Sequence, residues 1–318
     1  MDVITFGETM VLFSANQVLP LEYVHQLSKQ FGGAESNVAI GLARQGHSSG
    51  WFSKLGQDPF GTFIQRAIRG EGVDTSRCLF TDQAPTGLFF KEKRTADSTN
   101  VYYYRKNSAA SLLHPEDLDE AYISKAKILH LTGITPALSQ TSRETIFKSI
   151  EIAKRHNVKI SFDPNIRLKL WEEDVARKVL LDIAKQADYV LPGIDEGQLL
   201  TNEENPEGIA QALHNLGAGT VIVKCGDKGS FYSDQEDKGF VPAFKVKTVI
   251  DPVGAGDGFA SGFLSGLLNG ETLYDSVKRG NAVGALVVQV NGDIEGLPTK
   301  HEVDHFMEAG DEPADVKR

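Results

Sequence analysis

From Ile128 to Leu216 the chain alternates short apolar strands with amphipathic helices, and this alternation constrains the fold more than any other feature. Ile128-Leu129-His130-Leu131, Val158-Lys159-Ile160-Ser161-Phe162, Tyr189-Val190-Leu191 and Thr220-Val221-Ile222-Val223 read as strands. Residues 140–156, 176–186 and 206–216 between them carry helical spacing. Strand–helix repetition of this kind predicts an α/β fold, a central mostly parallel sheet with helices on both faces. Ligands in such sheets sit beyond the carboxyl ends of the strands. Upstream, Val3-Ile4-Thr5-Phe6 is a strand stopped by Gly7. A helix follows Gly32-Gly33 and ends at Gly46, Trp51-Phe52 opens a strand, and residues 60–70 form a helix. Downstream, helices are expected to begin near Gly256 and Leu273, with Ala285 to Val290 as a last strand-like run. Two stretches break the rhythm, 11–31 and 86–108, and both are strand-like. The second carries Leu88-Phe89-Phe90 and Val101-Tyr102-Tyr103-Tyr104 around a polar turn at Ala96-Asp97-Ser98. They are read as a small β-sheet lid inserted into one domain spanning 1–308, followed by a polar, frayed tail at 309–318.

The chemistry is concentrated in Asp251-Pro252-Val253-Gly254-Ala255-Gly256-Asp257-Gly258. Small residues at Gly254, Ala255 and Gly256 let the backbone turn sharply, so that successive N–H groups point into one concavity. A helix starting there adds its positive end. The product is a hole for phosphate oxygens, with Asp257 at its mouth to take a proton from an attacking hydroxyl. Alone, the run also fits a glycine-rich turn with Asp257 as a mere N-cap.

A charge balance of 33 basic against 43 acidic residues argues against a nucleic-acid or anionic-membrane surface. The two cysteines, Cys78 and Cys225, fit neither a metal spacing nor a disulfide framework. With no basic-then-apolar leader at the N-terminus and no membrane-length apolar run, the expectation is a cytoplasmic protein.

The run Asp251 to Asp257 resembles the Asp-x-x-Gly-Ala-Gly-Asp signature of the ribokinase-like (phosphofructokinase-B) carbohydrate kinases. Gly32-Gly33-Ala34-Glu35-Ser36-Asn37-Val38-Ala39, with Gly56, Asp58 and Gly61, is similar to that family's first signature. The resemblance covers almost the whole chain. It implies the ribokinase-like fold, ATP with Mg²⁺ as the phosphate donor, Asp257 as base and the 254–257 amides as anion hole. By the same resemblance Gly33 and Asn37 line the sugar site, while Lys224, Gly226, Gly229 and Asn281 flank the nucleotide. Glu196 matches the glutamate of the family's Asn-x-x-Glu motif, which organises magnesium through water. Gly193 stands where the asparagine would be, so that motif is incomplete. Many members also hold a potassium ion near the Asp251 loop, and the sequence leaves that open. Family lids often pair between subunits, so the aromatic strand at 101–104 implies a homo-oligomer.

Sugar choice rests on three segments. Alternation along Tyr102-Tyr103-Tyr104-Arg105 puts Tyr103 and Arg105 on one face. In Asp163-Pro164-Asn165-Ile166-Arg167, Asn165 and Arg167 fall at the ligand edge. Two converging arginines suit a carboxylate. Gly292-Asp293 adds an acid for sugar hydroxyls, or a turn aspartate. Within the family this combination is similar to kinases of 2-keto-3-deoxygluconate, making Gly33, Phe89, Tyr103, Arg105, Arg167 and Asp293 the expected sugar contacts. Phe89 stands where a tyrosine is expected, which removes one hydroxyl. Fructokinases share two of the three segments and are the alternative. A nicotinamide-dependent dehydrogenase needs Gly-x-Gly-x-x-Gly after an early strand, where this chain has Gly7 alone. A non-catalytic sugar sensor of the same fold would be expected to lose Asp257 or its glycines, and all are present.

Overall fold

The computed structural model describes residues 1–95, 98–234 and 236–309. In chain order the elements are β1 (Val3–Phe6), β2 (Met10–Val18), β3 (Leu27–Gly32), α1 (Ala34–Arg44), β4 (Ser49–Phe52), β5 (Lys54–Gly56), α2 (Pro59–Gly70), β6 (Leu79–Thr81), β7 (Leu88–Thr95) and β8 (Ser98–Tyr104). Next come α3 (Glu120–Ile123), β9 (Ile128–Thr132), α4 (Thr135–Leu138), α5 (Gln140–Arg155), β10 (Lys159–Asp163), α6 (Glu173–Ala184), β11 (Tyr189–Val190), α7 (Ile194–Thr201) and α8 (Pro206–Leu216). The chain closes with β12 (Thr220–Lys224), β13 (Gly229–Ser233), β14 (Lys238–Pro242), α9 (Ala255–Asn269), α10 (Leu273–Val287) and α11 (Lys300–Ala309).

Among the described residues the core sheet has eight strands in the order β14-β13-β12-β11-β10-β9-β1-β4. From β4 to β12 every pairing is parallel, and the last two pairings, β12–β13 and β13–β14, are antiparallel. Strands buried on both faces lose the polar alternation of a half-exposed strand, which is why β1 and β9 read as short, largely apolar runs. Their alternate residues serve two cores. Ile4, Phe6, Leu129, Leu131 and Phe162 pack under α5, α6 and α8. Val3 and Ile128 pack under Val38 and Leu42 of α1 and Phe259 and Phe263 of α9. Each large side chain buried in this way contributes roughly 1.5–3 kcal/mol.

The second sheet, in the order β3-β2-β7-β8, is the expected lid. Strands β2 and β7 pair in parallel at its centre, with β3 and β8 antiparallel at the edges. Asp58 caps α2 through Phe60 N and Gly61 N and also accepts from Thr86 N at 2.8 Å, so this acid of the first motif fixes the root of the lid. The 96–98 turn falls on residues 96 and 97, outside the described residues, as does the tail beyond Ala309.

One element differs from expectation. Ala285 to Val287 is not strand but the last turn of α10, and Val288 is its C-cap. The β-branched run Val287-Val288-Val290 favours a strand locally, yet Val283 and Val287 are needed on the helix face that closes the second core, with Ile40 and Trp51. Helix α7 was not anticipated, being only eight residues long.

Candidate active site

The carboxyl ends of β1, β10 and β12 run directly into Glu8, Asp163 with Asn165, and Lys224, and all four face one cavity beneath the lid. The cavity has a volume of about 410 Å³. The structure gathers in it all the expected sugar contacts: Gly33 and Asn37 from the start of α1, Phe89 from β7, Tyr103 and Arg105 from the end of β8, Arg167 from the loop after β10, and Asp293 from the loop after α10. Gly254, Gly256, Asp257 and Glu196 line it as well. Gly33 is required by contact, because a Cβ there would lie 2.6 Å from the Glu8 carbonyl.

Gly254 adopts φ +79°, the left-handed region that favours glycine, and caps α9. Gly256 and Asp257 stand in the first turn of α9, where backbone N–H groups have no intrahelical acceptor. The Ala255 N–H differs from the expected hole, because it turns back to the Pro252 carbonyl at 3.3 Å. Asp257 Oδ2 accepts from Asn37 Nδ2 at 2.8 Å. Burial pushes the Asp257 carboxyl up to about 7; Asn37 and Lys224 oppose the rise, and Asp163 and Asp293 add to it. An acid in that range can hold or release a proton near neutrality.

Charges in the cavity are largely paired. Arg105 Nε donates to Glu8 Oε2 at 2.7 Å, and Glu8 also accepts from Ser108. Both arginines line the cavity, but half of the Arg105 fork is held by a buried carboxylate of the same chain. Arg167 is exposed and, among the described residues, bonds only the Ile166 carbonyl at 3.3 Å, with no carboxylate partner. Lys224 Nζ donates to Asp163 Oδ2 at 2.6 Å. Burial works against the Lys224 ammonium, but Asp163 and Glu196 hold its pKa above the usual lysine range. Phe89 stacks on Tyr103 at 5.7 Å between centroids, giving the sugar cavity an aromatic wall.

A second, more apolar cavity of about 790 Å³ adjoins the first and shares Lys224, Pro252 and Gly256 with it. Gly226, Gly229, Ala255 and Asn281 line it beside Phe244, Val249 and Phe259. Asn281 does not present a free amide: it accepts from Ser230 Oγ at 2.7 Å and donates to the Val241 carbonyl at 3.0 Å. It therefore pins the β13–β14 hairpin that walls this cavity. Glu196 accepts from Gly193 N at 2.7 Å and Ile166 N at 2.8 Å. The carboxylate thus ties the start of α7 to the Arg167 loop. Among the described residues no group of three or more His, Cys, Asp or Glu side chains could hold a metal by itself.

Two residues of the site escaped sequence reasoning. Glu8 lies one position past the glycine that stops β1, a placement that marks the ligand edge of a parallel strand. Lys91 lies two positions beyond Phe89 on β7, so the strand period puts both on the same face.

Residues 1–300 match the model of the pfkB family carbohydrate kinases, and the chain belongs to that family. It is a carbohydrate kinase with the ribokinase-like fold. It is 45% identical over 311 residues to the 2-dehydro-3-deoxygluconokinase of Bacillus subtilis (strain 168), covering 97% of this chain and 96% of that one. A PfkB protein from Polaromonas sp. JS666 superimposes with a TM-score of 0.88 at 43% identity, covering 96% of this chain and 99% of that one. A putative ribokinase II from E. coli, solved in complex with ATP and Mg²⁺, gives 0.90 at 26% identity with the same coverage.

Proposed function

We propose that the chain transfers the γ-phosphate of ATP to the terminal hydroxyl of 2-keto-3-deoxygluconate, giving 2-keto-3-deoxy-6-phosphogluconate. The observation that carries this reading is the position of Asp257 in the polar cavity that holds Arg167 and Arg105, one residue past Gly256, which that cavity shares with an apolar cavity of nucleotide size. The substrate carboxylate pairs with Arg167 and the free edge of Arg105, and Tyr103 over Phe89 packs against its carbon chain. Gly33, Asn37 and Asp293 hold the hydroxyls. Asp257 takes the proton of the terminal hydroxyl, and that oxygen attacks the γ-phosphorus in line as the bond to the bridging oxygen of ADP breaks. The N–H groups of Gly254, Gly256 and Asp257, with Lys224, stabilise the negative charge on the transferring group.

Mg²⁺ fits a site of this kind because it keeps waters and phosphate oxygens as most of its ligands, and Glu196, an acid of the cavity lining, would help to order them. Bound there with the nucleotide, it would neutralise phosphate charge. Gly226, Gly229 and Asn281 shape the adenosine side. The kinase domain is read as 1–308, working in the cytoplasm; among the described residues no helix is long and apolar enough to cross a membrane. Exposed Tyr102 and Tyr104, on the outer face of β8, are read as the lid surface that pairs two copies.

A coupled assay of ADP formation with 2-keto-3-deoxygluconate, 2-keto-gluconate, fructose and ribose tests this reading. A clear preference for the two acids is expected, and a preference for fructose overturns it. ATP consumption without sugar dependence would contradict catalysis on a sugar altogether. Running the screen in potassium and in tetramethylammonium salts reads out any requirement for potassium.

A further inference from the structure

Lys91 is the one cation of the sugar cavity supplied from inside the lid sheet. It is 9% exposed. Its ammonium lies 2.7 Å from Asp293 Oδ1 and 3.5 Å from Asp251 Oδ2. Burial alone would lower its pKa, but Asp293 and Asp251 together hold it above the ordinary lysine range. Asp293 is locked from three sides. A Cβ on Gly32 of the lid would collide with its carboxylate, a Cβ on Gly254 would lie 2.7 Å from its carbonyl, and Lys91 holds its remaining edge.

The consequence concerns charge. Glu8, Asp163, Glu196, Asp257 and Asp293 all line this cavity, and Asp251 and Glu295 act on Asp293 from just outside it. Arg105 neutralises Glu8, and Lys224 neutralises Asp163. Lys91 is the cation that meets both Asp251 and Asp293. Without it, an incoming carboxylate would meet two uncompensated acids in a poorly screened space, where like charges cost far more than in water. A neutral sugar of the same shape would not.

We propose that Lys91 is a specificity-determining residue: by pairing with Asp293 and Asp251 from the lid, it offsets one of their two negative charges and so lets the cavity accept an anionic sugar acid. This rests on the reading of the cavity as a sugar-acid site.

The test compares kcat/KM for 2-keto-3-deoxygluconate with that for 3-deoxyfructose, its neutral counterpart with the carboxylate reduced to an alcohol. In Lys91→Met the acid-over-neutral ratio should fall at least tenfold, chiefly through KM for the acid, and Lys91→Arg should restore it. The double variant Lys91→Met/Asp293→Asn keeps the pair's net charge. It should therefore recover most of the ratio while losing activity on both sugars alike, which also guards against a single variant that folds poorly. An unchanged ratio in Lys91→Met, or a double variant no better than the single, overturns the proposal. A wild-type enzyme inactive on the acid but active on 3-deoxyfructose would instead contradict the sugar-acid reading itself.

Discussion

Asn37 Nδ2 donates to Asp257 Oδ2 at 2.8 Å, joining the first turns of two helices across 220 positions of sequence. The bond stabilises the charged form of Asp257 against burial, so the two motifs set one proton affinity between them. A base must be deprotonated to work, so activity should rise with pH through about 7. Asn37→Ala removes a group that lowers this pKa. The acidic limb of the kcat–pH profile should then move upward, and an unmoved limb would exclude Asp257 as its source.

Asp257→Asn should reduce kcat by roughly 10²–10⁴ while leaving ligand affinity nearly intact. Stability should change in the opposite sense. The folded carboxyl has a pKa near 7 against 3.8 unfolded, so the folded state holds more protons between those values. Stability from this group is full below 3.8 and declines as pH rises to about 7. Thermal melts should therefore show Asp257→Asn more stable than wild type at pH 8, with no difference at pH 3.

Lys224 stands between the two cavities, bonded to Asp163. Replacing it with Met strands a buried carboxylate, at a cost of about 3–5 kcal/mol. It also removes a charge that lowers the Asp257 pKa. A lower melting temperature, a raised KM for ATP and an acidic limb displaced upward should appear together. A change in ATP affinity alone would mean that Lys224 does not act on Asp257.

Arg167 is exposed and bonds only its neighbour's carbonyl, so its removal should cost less than about 0.5 kcal/mol of stability. Arg167→Gln should nevertheless raise KM for 2-keto-3-deoxygluconate tenfold or more and leave KM for 3-deoxyfructose unchanged. Equal effects on both sugars would place its contact on a hydroxyl instead.

Gly254→Ala combines an unfavourable φ of +79° with a Cβ 2.7 Å from the Asp293 carbonyl. The cost should be about 1–3 kcal/mol, with kcat reduced more than affinity for either substrate. Normal kcat in this variant would show that the loop is not the charge-stabilising element.

The parallel core, the lid and the Gly254–Asp257 turn were legible because each depends on local backbone chemistry: apolar runs of strand length, a break in their rhythm, and residues small enough to turn. Pairing was not legible. Arg105 announces a free guanidinium until Glu8, 97 positions away, is seen to hold it. Lys91 on a lid strand looks like a solvated charge until Asp293 and Asp251 arrive from the other end of the chain. Asn281, expected from the family resemblance to flank the nucleotide, lines the apolar cavity, but its amide is occupied by the hairpin, a fact of tertiary contact alone. Ala285 to Val290 was misread for the related reason that burial against a partner helix overrode local β preference.

The lid is made by two separate excursions of the chain, one leaving after β1 and returning at α1, the other leaving after β6 and returning before α3. It is therefore moored to the core by four covalent strands of backbone. A flap on a single hinge can swing clear of its opening; a plate moored at four points can only rock. Two moorings, Glu8 and Gly33, are themselves part of the cavity wall, so any rocking must alter the sugar's own binding surface.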